Sequence, residues 1–125
     1  MNKYTNRFSL TARICSIKYA IAGIAGLLKE QHNAWVHVLA TATVVALAFY
    51  YAITPVEWSV LILAITAVFV AEALNTALEY ICDVVSPEFH PLVKKSKDIA
   101  AGAVLITAIS AVIIGLVIFL PYINK

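Results

Sequence analysis

Residues Val56 to Cys82 read VEWSVLILAITAVFVAEALNTALEYIC, and this stretch decides the fold. From Val60 to Ala71 its only polar residue is Thr66, so the outer part reads as a membrane-crossing helix. About 20 helical residues cross a hydrocarbon core of roughly 30 Å, and this run has residues to spare. Its last turns then become acidic, with Glu72, Asn75 and Glu79, followed by Asp83. At about 100° per residue, Asn75 falls near −60°, Glu79 near −20° and Asp83 near +20° relative to Glu72. All four share one face. Carboxylates are costly on a membrane helix and normally face a bundle interior or a polar cavity that has a function. Asn75 also admits a plainer role, since amides hold membrane helices together, and Asp83 could simply be solvated.

Two further apolar segments flank this one. The first runs from Val36 to Ile53 and is broken by Thr54-Pro55, because proline lacks a donor and disfavours helix in its predecessor. The third runs from Ile99 to Leu120, ending at Pro121. The expected fold is all-α, one membrane-embedded domain over 1–125, with crossings at 36–53, 56–82 and 99–120. Composition agrees: 62% of residues are hydrophobic and 13% charged, with a mean hydropathy of +0.91. Soluble domains are about 45–50% apolar and about 25% charged. The formal charge of +2 gives no reason to expect a nucleic-acid partner.

Basic residues set the orientation. Lys3, Arg7, Arg13, Lys18 and Lys29 precede the first crossing, and Lys94, Lys95 and Lys97 sit between the second and third. The N-terminus and the Asp83–Asp98 loop are therefore expected on the cytoplasmic side of a bacterial inner membrane, with the acidic face beside them. Trp58, Tyr50 and Tyr51 flank the outer turn as an aromatic belt. Between residues 8 and 30, Phe8, Cys15, Ile17, Ile21, Ile24 and Leu28 alternate with Arg13, Lys18 and Lys29, which predicts an amphipathic helix on the membrane surface. Gly23 and Gly26 would let another helix or a headgroup come close. Cys15 and Cys82 match no metal or redox spacing and read as small packing residues. No secretory signal is expected from the polar start.

Carboxylates at a membrane–cytoplasm boundary suit two roles. They can hold Mg²⁺, which takes oxygen ligands and shares them with substrate phosphates, and one of them can act as general base toward a hydroxyl. Together these describe phosphoryl transfer from MgATP to a lipid alcohol. A proton-coupled carrier would also use buried acids, although the outer half of the second crossing offers no polar path. Downstream, Lys97-Asp98 lies where a helix start and a lysine could bind phosphate, while Lys94 and Lys95 read as anchors against anionic lipid.

The stretch AEALNTALEYICDVVSPEFHPLVKKSKDIAAGAVL, Ala71 to Leu105, resembles the prokaryotic diacylglycerol kinase and undecaprenol kinase family, through E-x-x-N-[ST]-A-x-E and a short loop ending in K-D. The resemblance runs from about Tyr19 to Pro121. It implies a homotrimer of lipid kinases with active sites between neighbouring subunits and no Walker-type glycine loop. It implies Glu72 as the base on the lipid hydroxyl, Asn75 as an active-site polar residue and Glu79 as a ligand of the nucleotide's Mg²⁺. Tyr19, Glu88, Phe89, His90, Lys97 and Asp98 would contact the nucleotide, with Lys97 positioned by Asp98. The family's second metal-binding glutamate falls on Gln31 here. Gln31 can offer a neutral carbonyl oxygen; Glu30 is adjacent but about 100° away on a helix. Asn33 and His37 resemble the undecaprenol kinase branch, His37 being expected as an interfacial anchor. The alternative within the same family is a catalytically weakened relative that binds lipid or serves assembly, for which Gln31 is the support.

Overall fold

The computed structural model describes residues 8–125, so Lys3 and Arg7 of the basic N-terminal group lie outside the described residues. The chain forms four helices: α1 (Leu10–Glu30), α2 (His32–Tyr50), α3 (Pro55–Val85) and α4 (Pro91–Ile123). All four are long and apolar enough to cross a membrane, α1 included. α3 and α4 form an antiparallel hairpin with the most extensive packing in the molecule, and α2 lies against α3. α1 buries none of its residues. Many large apolar side chains, among them Leu63 and Leu74 on α3 and Ile106 and Val117 on α4, face outward, as expected where the surroundings are lipid.

The helix ends differ from the sequence expectation, each for a local reason. α2 stops at Tyr50 rather than Ile53. The Ala52 amide donates to the Phe49 carbonyl at 3.2 Å and the Ile53 amide to the Ala48 carbonyl at 3.2 Å, with Ala52 at φ 49°. This is a Schellman stop, which normally uses glycine at the left-handed position; Ile53 and Ala48 then join the apolar core with Leu61, Ile118 and Phe119. Because alanine in the left-handed region costs about 1–2 kcal/mol, Ala52→Gly is expected to raise stability by about 1 kcal/mol, read as a higher midpoint of thermal unfolding in detergent.

Thr54 then caps α3, its hydroxyl accepting from the Glu57 amide at 3.2 Å while the Glu57 carboxylate accepts from the Thr54 amide at 3.0 Å. This reciprocal capping box explains why Pro55 opens a helix here. At the same end the Tyr122 hydroxyl donates to Glu57 at 2.6 Å, tying the end of α4 to the start of α3.

At the opposite end α3 runs past Cys82 to Val85, and α4 begins at Pro91 instead of Ile99. His90 is its N-cap, Nδ1 accepting from the Leu92 amide at 3.1 Å, and Pro91 takes the first helical position. Lys94 to Asp98 therefore lie on a helix and not in a loop. Pro121, expected as a stop, is inside α4, which continues to Ile123. So close to the helix end, proline forfeits a single backbone bond of the last turn. Cys82 is buried as a packing residue, whereas Cys15 is exposed.

Candidate active site

The acidic face of α3 is graded in depth. Asp83 is exposed, Glu79 and Asn75 are half-buried, and Glu72 is only 2% exposed. Burial on this scale requires a partner for the carboxylate or a proton on it. Among the described residues, the side chain facing it is His37 on α2, whose Nε2 stands 3.6 Å from Glu72 Oε2. His37 is thus turned into the bundle and is not an interfacial anchor. Its ring also packs edge-on against Phe69, with centroids 6.1 Å apart.

One turn further along α3, Asn75 Nδ2 donates to Glu79 Oε1 at 3.3 Å, the i, i+4 contact that the face predicts. Asn75 Oδ1, Glu72 Oε2 and the hydroxyl of Thr76 (4% exposed) are buried with no hydrogen-bond partner among the described residues. Thr43, Ser16 and Ser59 each donate back to a carbonyl one turn earlier at 2.9 Å, but Thr76 does not. Unsatisfied buried groups are rare in folded proteins, so three on one helix face single out this part of α3 as the candidate site.

Tyr80, which the sequence gave no reason to single out, ties α3 to the α1–α2 junction. Its hydroxyl donates to Glu30 Oε2 at 2.6 Å and accepts from Gln31 Nε2 at 3.4 Å. The objection that Glu30 points 100° away from Gln31 does not apply. α1 ends at Glu30, and Gln31 has an extended backbone at φ −111° and ψ 114°. Both side chains therefore reach the same hydroxyl, next in sequence to Glu79.

At the foot of the hairpin the lysine pairing differs from expectation. Lys94 Nζ, not Lys97, bonds Asp98 at 2.6 Å across one helical turn, and Lys97 Nζ reaches Asp83 Oδ1 at 3.5 Å. A helix places i and i+4 on one side, so Asp98 lies over Lys94 while Lys97 faces α3. Both pairs are substantially exposed, so they orient the lysines and contribute little to stability. Of the other residues implied for nucleotide contact, Tyr19 and Phe89 are exposed, Glu88 offers its carbonyl to the Ser86 hydroxyl at 2.8 Å, and the His90 side chain is used as the cap. Among the described residues, no group of three or more His, Cys, Asp or Glu forms a metal cluster.

A bundle of long apolar helices with one buried carboxylate on an acidic face that leads to a lysine-bearing helix start has the character of a membrane-embedded enzyme. The family model for prokaryotic diacylglycerol kinase matches residues 18–119. The chain belongs to the prokaryotic diacylglycerol kinase family, and it is a lipid kinase. It is 36% identical over 121 residues to the undecaprenol kinase of Bacillus subtilis (strain 168), covering 97% of this chain and 98% of that one. It is 38% identical over 109 residues to a diacylglycerol kinase of Synechocystis sp., covering 86% of this chain and 62% of the relative. It is 33% identical over 75 residues to the diacylglycerol kinase of Escherichia coli (strain K12), covering 60% of this chain and 62% of the relative.

Proposed function

We propose that the protein transfers the γ-phosphoryl group of ATP to a membrane lipid alcohol, undecaprenol or diacylglycerol, at the cytoplasmic face of a bacterial inner membrane. The observation that carries this reading is Glu72, buried at 2% on a face where Asn75 and Glu79 follow toward the lysines of α4. Matching nearly the full length of an undecaprenol kinase favours a polyprenyl alcohol as acceptor.

In this reading α2, α3 and α4 cross the bilayer, and α1, bearing Arg13, Lys18 and Lys29, lies on the cytoplasmic surface, the break at Gln31 allowing the chain to change direction. The protein works as a homotrimer, so a neighbouring copy or the substrates supply donors to the unpartnered acceptors of α3.

The donors present suit Mg²⁺. Glu79, Glu30 and Gln31 all offer oxygen, and the unpartnered Asn75 Oδ1 is buried beside Glu79; hard cations prefer such ligands. Glu79 with Glu30 or Gln31 would hold the ion, which when bound would offset the charge of the nucleotide phosphates. Glu72 withdraws the proton from the lipid hydroxyl. Lys97, held toward α3 by Asp83, faces the phosphates, and Tyr19, Glu88, Phe89, His90 and Asp98 frame the nucleotide.

The convergence of Glu30 and Gln31 on Tyr80 supports a reading in which Glu30 compensates for glutamine at position 31. Glu30→Gln is expected to raise the KM for MgATP by about tenfold, the lower end of what loss of a metal-site partner costs. Gln31→Glu should change turnover by less than about threefold. Steady-state kinetics on both variants check this, and a large gain from Gln31→Glu would instead indicate a weakened relative. A side-by-side assay of undecaprenol and diacylglycerol with γ-labelled ATP tests the acceptor, with faster phosphorylation of undecaprenol expected. Equal or faster phosphorylation of diacylglycerol would overturn the acceptor assignment.

A further inference from the structure

The backbone at the α1–α2 break is fixed on both sides. The Gln31 amide donates to the Leu27 carbonyl at 3.0 Å, and the Gln31 carbonyl accepts from the Ala34 amide at 3.2 Å. Ala34 itself is fully buried. The side chains beside the break lack such support: α1 buries none of its residues, and Glu30 is exposed at its end. A glutamate left in solvent samples many rotamers, and ordering them has an entropic cost. Tyr80 removes that freedom. Its hydroxyl donates to Glu30 Oε2 at 2.6 Å, across a separation of 50 residues. A phenol has one proton to give, and Glu30 takes it. The Gln31 contact at 3.4 Å then runs the other way, from Nε2 into the phenol oxygen. A neutral amide at position 31 therefore leaves the proton to Glu30, whereas a second carboxylate there would compete for it.

Resting on the reading in which Glu30 helps to hold Mg²⁺, we infer that Tyr80 is a positioning residue for the phosphoryl transfer. Its hydroxyl holds one oxygen of the Glu30 carboxylate and leaves the other to the ion. Tyr80 directly follows Glu79 on α3, so one turn carries both a carboxylate proposed for the ion and the donor that orients the second. Hydrogen bonds to a charged acceptor are roughly twice as strong as neutral ones. Such partners behind a metal ligand typically decide about 10- to 100-fold in metal affinity. Tyr80 is 47% exposed, so phenylalanine in its place removes the hydroxyl without opening a cavity in the core.

Wild type, Tyr80→Phe, Glu30→Gln and the double variant are compared in lipid vesicles, with Mn²⁺ affinity read by electron paramagnetic resonance before any turnover is measured. Tyr80→Phe is expected to weaken Mn²⁺ binding about tenfold, the lower end of that range. The KM for MgATP should rise in parallel, with the loss absent from kcat. Because Tyr80 acts through Glu30, the double variant should bind Mn²⁺ no more than about twofold worse than Glu30→Gln alone, whereas independent sites would multiply their losses. Wild-type affinity in Tyr80→Phe, beside a loss in Glu30→Gln, would overturn the role of Tyr80 and leave the metal reading in place. Losses that multiply in the double variant would overturn it too, since Tyr80 would then act on its own. Wild type that binds no Mn²⁺, or Glu30→Gln that binds it as well as wild type, would sink the metal reading of Glu30 and the role of Tyr80 with it.

Discussion

Glu72→Gln is expected to lower kcat by about a thousandfold while leaving the KM for ATP nearly unchanged. The substitution keeps the volume and removes the charge, so the tight packing around a side chain only 2% exposed is preserved. The proton sink for the lipid hydroxyl is lost with the charge. General-base contributions run from about a hundredfold to ten-thousandfold. Thermal unfolding of the variant is measured in parallel, separating catalytic loss from misfolding. A variant with wild-type kcat would remove Glu72 from the chemistry.

Glu79→Gln is expected to lower activity by more than about a hundredfold at ordinary Mg²⁺ concentration. Loss of a hydrogen-bonded partner behind a metal ligand already costs about 10- to 100-fold in metal affinity, and a direct ligand should matter more. The same change disturbs the contact with Asn75 Nδ2 at 3.3 Å. The effect should lessen as Mg²⁺ is raised, and Mn²⁺ binding measured by electron paramagnetic resonance should weaken in parallel. Metal binding equal to wild type would remove Glu79 from the ion's ligands. Glu72→Gln, by contrast, should bind metal normally, so the two carboxylates are distinguished by the step each impairs.

What could be read from the sequence depended on whether the feature lay within one helix. The face shared by Glu72, Asn75 and Glu79 follows from helical periodicity alone, and the structure bears out the Asn75–Glu79 contact that it implies. The apolar run of α3 was equally legible, because only helices and closed barrels satisfy the backbone in lipid. Features that join two helices were not. His37 acquires its meaning from α3 packing opposite it, and nothing in the neighbourhood of Asn33 and His37 signals that. Tyr80 falls about 100° from Glu79 on α3 and so lies off the acidic face; its role needs the α1–α2 break beside it. The resemblance implies that Asp98 positions Lys97, but adjacent helical residues diverge and Lys94 is the one that stacks on Asp98. The early start of α4 was signalled by His90-Pro91, a cap followed by proline at the first helical position, but hydropathy placed the helix start where the apolar residues begin. The stop at Ala52 had no signal, since alanine occupies the position that glycine would have marked.

The central claim is that this bundle phosphorylates a lipid alcohol through the buried acidic face of α3. The most direct measurement is transfer of label from γ-labelled ATP to lipid by the purified protein in vesicles carrying undecaprenol or diacylglycerol, with Glu72→Gln run in parallel. A labelled lipid phosphate that requires Mg²⁺ should accumulate with wild type and be nearly absent with Glu72→Gln. Folded wild type that labels neither alcohol, or Glu72→Gln that labels lipid as fast as wild type, would contradict it.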